Sequence, residues 1–178
     1  LSAKKHDRPS DSRASQSLNA YVAVGDAFTL PGTTRTGYTL NGWYNTPGGA
    51  AGNGALYDDP YFSGNGDIIL YANWTPRTYT ITLDYGEYGA GSQSTAQVTY
   101  GQSYQLPVAT QNDSAESGTK IFMGWYSSSD INSTRYTDEL GNSLTVWLLA
   151  DENVTLHAGF ADAVEFVEDG DGYSVTAG

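Results

Sequence analysis

Residues 37–45 read "GYTLNGWYN" and residues 119–127 read "TKIFMGWYS". Two of the chain's 4 tryptophans thus stand in one Gly-Trp-Tyr phrase written twice. The flanking text is duplicated as well. "YVAVGDAFTLP" at 21–31 matches "QVTYGQSYQLP" at 97–107, with Gly25/Gly101, Phe28/Tyr104, Leu30/Leu106 and Pro31/Pro107 in step at an offset of 76. The offset is 82 at the tripeptide and 86 where "LYANW" (70–74) meets "LHAGF" (156–160). The second copy therefore carries insertions of six and then four residues, and insertions that spare the apolar pattern belong in surface loops. The chain is a tandem repeat, and Trp43 and Trp125 are expected to anchor two sibling cores rather than to form a paired ligand platform.

Each copy reads mostly as strand. "YTITLDY" (79–85) alternates Tyr79, Ile81, Leu83 and Tyr85 with Thr and Asp, the period of a strand with one buried face. "AQVTYG" returns from it as a hairpin, "YTLNGWY" and "KIFMGWY" are strands, and "DIILYANW" and "NVTLHAGF" close the units. The connector "LPVATQNDSAESG" has room for one helical turn, and "VEFVEDGDGYSV" predicts a C-terminal hairpin around positive-φ turn residues. The expected organisation is a polar arm over 1–17, a first unit over 18–76, a second over 77–161 and the hairpin, or the lead-in to a further domain, over 162–178. Nothing alternating precedes "YVAV", so the first unit is expected to lack its opening strand. That leaves a sheet edge for the arm, the C-terminal hairpin or a neighbouring molecule to occupy, the last giving a homo-oligomer.

Composition agrees with a mainly β protein: 21 Gly and 14 Tyr, with abundant Thr, Ser and Asn. With 0 Cys, disulfides, thiolate nucleophiles and zinc–thiolate sites are excluded. The net charge is −12, and half of the basic residues (Lys4, Lys5, Arg8 and Arg13) sit in the first 13 positions. Beyond them Arg35, Arg77, Lys120 and Arg135 face 18 acidic residues, a surface that repels a phosphate backbone and argues against nucleic-acid binding. No stretch approaches the roughly 20 apolar residues of a membrane-spanning helix, so the chain is not expected to be membrane-embedded.

The order of hairpin strand, "YG", aromatic-x-"LP", "GY-x-φ-x-GWY", Gly/Asp loop and "LYA-x-W" resembles the Listeria–Bacteroides repeat, or internalin B-repeat. The likeness covers about 18–76 as a copy without its first strand and 77–161 as a fuller one, in which "TKIFMGWY" and "LHAGF" depart from the pattern. It implies small β-grasp-like, ubiquitin-like modules on bacterial cell-surface and secreted proteins. Their implied role is that of spacers, stalks or adhesive segments, with no chemistry or cofactor of their own, and with a host or bacterial surface protein or a glycan as partner. "VEFVEDGDGYSVTAG" also resembles the lead-in to a leucine-rich repeat array.

The candidate sites have structural readings beside them. Trp43, Trp74, Trp125 and Phe160 read as core. Trp147, in "LTVWLLA" without a counterpart in the first copy, is of the four tryptophans the best placed for an exposed contact, with burial still its first reading. Tyr57, Tyr61 and Tyr71 cluster in sequence around "LYDDPYFSGNGD", where aromatics beside carboxylates suit a sugar face or a basic peptide. A carbohydrate-binding module using these tyrosines or Trp147 is the alternative to a spacer. Asp169 and Asp171 have the spacing of a calcium loop but no closing carboxylate, and read as a turn. Asp58–Asp59 and Asp138–Glu139 are adjacent pairs in loops, unlike the opposed carboxylates of glycoside hydrolysis. His157 has neither a cysteine nor a serine motif to complete a ligand set or a triad. No catalytic, cofactor or metal site is expected.

Overall fold

A computed structural model describes residues 2–4, 17–19, 21–64, 66–112, 118–168 and 173–177. The chain divides into two compact units, Leu1–Pro76 and Arg77–Gly178.

In the first unit the strands are β1 (Ser2–Lys4), β2 (Ser17–Asn19), β3 (Tyr38–Tyr44) and β4 (Ile69–Pro76). They form one sheet in the order β2-β1-β4-β3, with β1 parallel to β4 and the outer strands antiparallel to their neighbours. The second unit opens with β5 (Thr78–Asp84), β6 (Gly89–Ala90), β7 (Thr95–Thr99) and β8 (Thr110–Gln111). It continues with β9 (Lys120–Tyr126), β10 (Thr155–Asp162), β11 (Val164–Glu168) and β12 (Tyr173–Ala177). Its main sheet runs β7-β5-β10-β9, again with one parallel pair, β5 and β10, at the centre. β6 pairs with β8, and β11 with β12 as the C-terminal hairpin. The turn residues 169–172 and residues 113–117 lie outside the described residues, and the rest of the 106–118 connector, which has room for a helical turn, carries β8 instead. Among the described residues the helical segment is a 3₁₀ turn at Gly49–Gly52, so the protein is mainly β.

The two sheets correspond strand for strand, and this overturns two expectations for the N-terminus. The arm over 1–17 is not wholly a linker, and the first unit does not lack an opening strand: β1 lies where β5 lies. Ser2, Ala3 and Lys4 pair with Ile69, Leu70 and Tyr71, as Thr82, Leu83 and Asp84 pair with Thr155, Leu156 and His157. β2 then stands for β7, the pairing of Ser2 with Asn19 matching that of Thr82 with Thr95, and Asn19 and Thr95 are in step at the same offset of 76. A three-residue strand is too short to display a period of two, and its ladder is made by backbone groups that carry no sequence signal. The edge of β4 is therefore taken by the N-terminal arm, one of the three occupants expected for it.

The Gly-Trp-Tyr phrase is a β-bulge. Leu40 pairs with Trp74 and Gly42 with Asn73, leaving Asn41 unopposed; Phe122 pairs with Phe160 and Gly124 with Gly159, leaving Met123 unopposed. Gly42 and Gly124 take φ of 127° and 123°, a backbone conformation side chains disfavour. A Cβ on Gly124 would stand 2.3 Å from the Thr137 carbonyl oxygen, because the loop after β9 crosses directly over the bulge. The bulge resets the alternation so that Trp43 and Trp125 face inward at 7% and 0% exposure. Tyr44 and Tyr126 take the opposite face, against Tyr71 and His157.

Candidate functional site

The described residues offer three places where polar or aromatic groups gather: the tyrosine loop of the first unit, the outer face of each sheet, and the long loop after β9. In the first, Tyr57 is half-buried against the core of Trp43, Leu70 and Ala72, with its ring 5.9 Å from Phe28. Its phenol is raised above the ordinary value by burial and by the Asp59 carboxylate. Tyr61 is 55% exposed and forms a bridge with Ala27, while its backbone N–H donates to Asp59 Oδ1 at 2.9 Å. Tyr71 is half-buried on β4 opposite Tyr44. Each tyrosine is thus committed to a different element: Tyr57 to the core, Tyr71 to the outer face of the sheet, and Tyr61 to the loop that closes over residues 25–28.

Trp147 does not serve as an exposed contact. It is 1% exposed, with Tyr104 edge-on at 5.5 Å and Tyr136 tilted at 5.7 Å. Its loop has apolar residues on alternate sides of it, and the indole is the one that turns inward, while Leu144, Val146 and Leu148 stay exposed. Burial also pushes the Tyr104 phenol up to about 12, with Tyr136 adding to the shift, and its hydroxyl donates to the Tyr136 carbonyl at 3.2 Å. The Trp125 indole donates to the Pro107 carbonyl at 2.8 Å, tying the connector after Leu106 to the core. Trp74 and Phe160 are half-buried against their respective clusters.

The outer faces carry one row of side chains across the sheet: Tyr71 and Tyr44 in the first unit, Asp84, His157 and Tyr126 in the second. His157 Nδ1 lies 3.0 Å from Asp84 Oδ2, a partner the sequence concealed because the two are brought together by parallel pairing of strands far apart in the chain. The paired carboxylates are used in loops. Asp138 accepts from the backbone of Leu140 and Asn142 and from the Asn142 amide, and these bonds, the amide first, hold its carboxyl below the ordinary value. Glu139 pairs with Arg135 at 3.0 Å. Lys120 pairs with Asp162, and that bond raises the amine above its ordinary value. Among the described residues no group of three or more His, Asp or Glu could hold a metal ion, and no helix is long and apolar enough to cross a membrane. The Asp169–Asp171 turn lies outside the described residues.

The Listeria-Bacteroides repeat domain profile matches residues 10–73 and 79–158, most of both units. The chain belongs to the Listeria-Bacteroides repeat family. The first match begins beyond β1, so the strand that completes the first sheet falls outside the family segment. Two relatives are similar to this chain over part of their length. Internalin H of Listeria monocytogenes serovar 1/2a is 36% identical over 94 residues, covering 52% of this chain and 15% of the relative. A protein of Evansella cellulosilytica described as a Gly-rich membrane protein is 30% identical over 158 residues, covering 85% of this chain and 17% of the relative. The chain thus spans less than a fifth of either relative. No solved structure matches. The family is a repeat domain, and no catalytic family is indicated.

Proposed function

We propose that this Listeria–Bacteroides repeat segment is a non-catalytic module of a bacterial cell-surface or secreted protein, acting as a spacer and as a protein-interaction or adhesion segment. The observation that carries this reading is the duplicated sheet itself. Two units of one topology are each closed around an aromatic anchor, and the candidate chemical groups are engaged in packing, caps and strand pairing. The mixed sheet with a parallel central pair supports a β-grasp-like description of each unit. An extracellular location is supported by the internalin relative and by the relative described as a membrane protein. With Trp147 buried, the carbohydrate-binding alternative retains Tyr61 as its exposed aromatic, with Tyr57 and Tyr71 half-covered.

The test is made on whole cells displaying the parent protein. Deleting both units should reduce antibody access to an epitope fused beyond them, and inserting two unrelated folded domains of similar size should restore that access. Adhesion restored by the same insertion would leave only the spacer role. Access unaffected by the deletion would remove the spacer role altogether.

A further inference from the structure

The second sheet has two edges, and the protein treats them differently. On the β9 side the loop after the strand folds back as a cover: Tyr136 donates to the Trp125 carbonyl at 2.7 Å and Ser127 to Thr134 at 2.9 Å, and the Thr137 hydroxyl accepts from Trp125. Among the described residues the β7 side has no such cover. Leu83 donates to Ser94 and Tyr100 to Arg77, so in this antiparallel register Ala96 and Val98 turn their backbone groups toward β5. Those of Thr95 and Gln97 point away from the sheet, and no hydrogen bond from the described residues reaches them. They open into a groove of about 610 Å³ whose far wall is the chain around Leu106, Pro107 and Val108, with Leu140 beside it. That wall is held upright by its own pairing: Leu106 donates to the Gly141 carbonyl, Ser143 to that of Tyr104, and Gln105 bridges Asn142. Val108 and Leu140 are 50% and 63% exposed at the rim.

We propose that this groove is a β-augmentation site: an extended peptide segment of a partner protein adds as a fifth strand along β7. This deepens the interaction part of the function proposed above and rests on it. Backbone groups of alternate peptide residues pair with Thr95 and Gln97, and the intervening side chains lie against Pro107, Val108 and Leu140, the division of labour that strand addition uses elsewhere. The edge carries none of the usual guards. β7 has no proline, no lysine and no inward charge, and the run from Tyr88 to Asn112 contains no charged residue in a chain of net charge −12. The groove floor is therefore neutral, while Asp138 stands two residues before Leu140, the Glu139 carboxylate beside it is paired with Arg135, and the molecule as a whole is acidic. That field selects a segment with β-branched residues at alternating positions and flanking Lys or Arg, and it repels a second copy of this chain.

The probe is the synthetic peptide acetyl-Lys-Thr-Val-Thr-Val-Thr-Lys-amide, titrated into the full chain and followed by backbone amide NMR and hydrogen exchange. Saturable binding should slow exchange at Thr95 and Gln97 about tenfold or more, the signature of new backbone pairing. Gln97→Pro deletes an N–H that β5 does not use, a substitution an edge strand accommodates, and should weaken binding about five- to tenfold. Leu140→Asp leaves the backbone alone, guards against a folding defect in the proline variant, and should also weaken binding. A peptide with Glu in place of both Lys should bind more weakly still at low salt. Saturable binding without slowed exchange at Thr95 and Gln97, no saturable binding, or unchanged affinity in both variants would each overturn the proposal. So would protection of the same amides that rises with protein concentration in the absence of peptide, since the occupant would then be a second copy. The Gln97→Pro chain should still restore epitope access on whole cells, so loss of this site and loss of the spacer role read out separately.

Discussion

In the first unit the buried cluster among the described residues is Trp43, Leu70 and Ala72, with Leu30, Leu40, Tyr57, Ile68 and Trp74 leaning on it. In the second it is Tyr79, Ile81, Leu83, Val98, Leu106, Ala109, Phe122, Trp125, Trp147 and Leu156. Sheet order, bulge and anchor are shared, and the apolar mass behind them is not. Part of the difference lies at the opening strand. β5 sends Tyr79, Ile81 and Leu83 inward, whereas β1 has three residues and places Ala3 where Leu83 stands. Burial of each large aliphatic side chain contributes about 1.5–3 kcal/mol, so among the described residues the second unit's cluster carries the larger stabilisation. The comparison teaches that one topology is closed around unequal clusters among the described residues, and that the first sheet is completed by a strand outside the family match.

That inequality is open to direct attack. Deleting residues 1–19 removes β1 and β2 and leaves β3 and β4 as a two-stranded ribbon, which is marginal in water. The first unit should then lose its cooperative urea transition while the second keeps its own; two intact transitions would refute the dependence on the arm. Trp125→Ala should cost the second unit about 3–5 kcal/mol. Trp43→Ala should cost the first less, because its indole is 7% exposed against 0% and has fewer buried neighbours, and equal losses in denaturant titration would contradict unequal cores.

The bulge glycines give a smaller split. Gly124→Ala combines a positive φ with a backbone oxygen at 2.3 Å and should cost about 1–3 kcal/mol. Gly42→Ala meets the Leu56 Cδ1 methyl at 2.7 Å, a side-chain tip that can turn aside, so its loss should be the lesser of the two in thermal melts. The smallest effect is acidic. Asp138 has its folded pKa held below the ordinary 3.8, so its stabilisation is complete above that value and is lost as pH falls through the lowered one. Asp138→Asn should flatten the decline of the second unit's urea midpoint below about pH 4 and leave the first unit's profile unchanged.

Much of this was legible in the residues. The drifting offset located both units and their loops, the alternation of "YTITLDY" marked β5, and the repeated tripeptide marked the strand beside the closing one. What escaped was written in backbone groups or in long-range pairing. β1 is too short for a pattern, His157 meets Asp84 through a parallel register, and the free carbonyls and N–H groups of β7 follow from which of its residues face β5. The exposed alternative for Trp147 stayed open because an indole in an apolar loop reads the same whether it turns in or out; only Tyr104 and Tyr136, far from it in the chain, decide the direction.

By itself the sequence determined that this is a duplicated, strand-rich, acidic chain with a tryptophan anchor in each copy, because period, composition and repetition are local properties of a string of side chains. Tertiary structure alone decided which edges are covered, that the N-terminal residues complete the first sheet, and that one edge of the second lies open beside an apolar wall. Those outcomes depend on backbone hydrogen bonds between distant segments, and a backbone group is the same at almost every position of the chain.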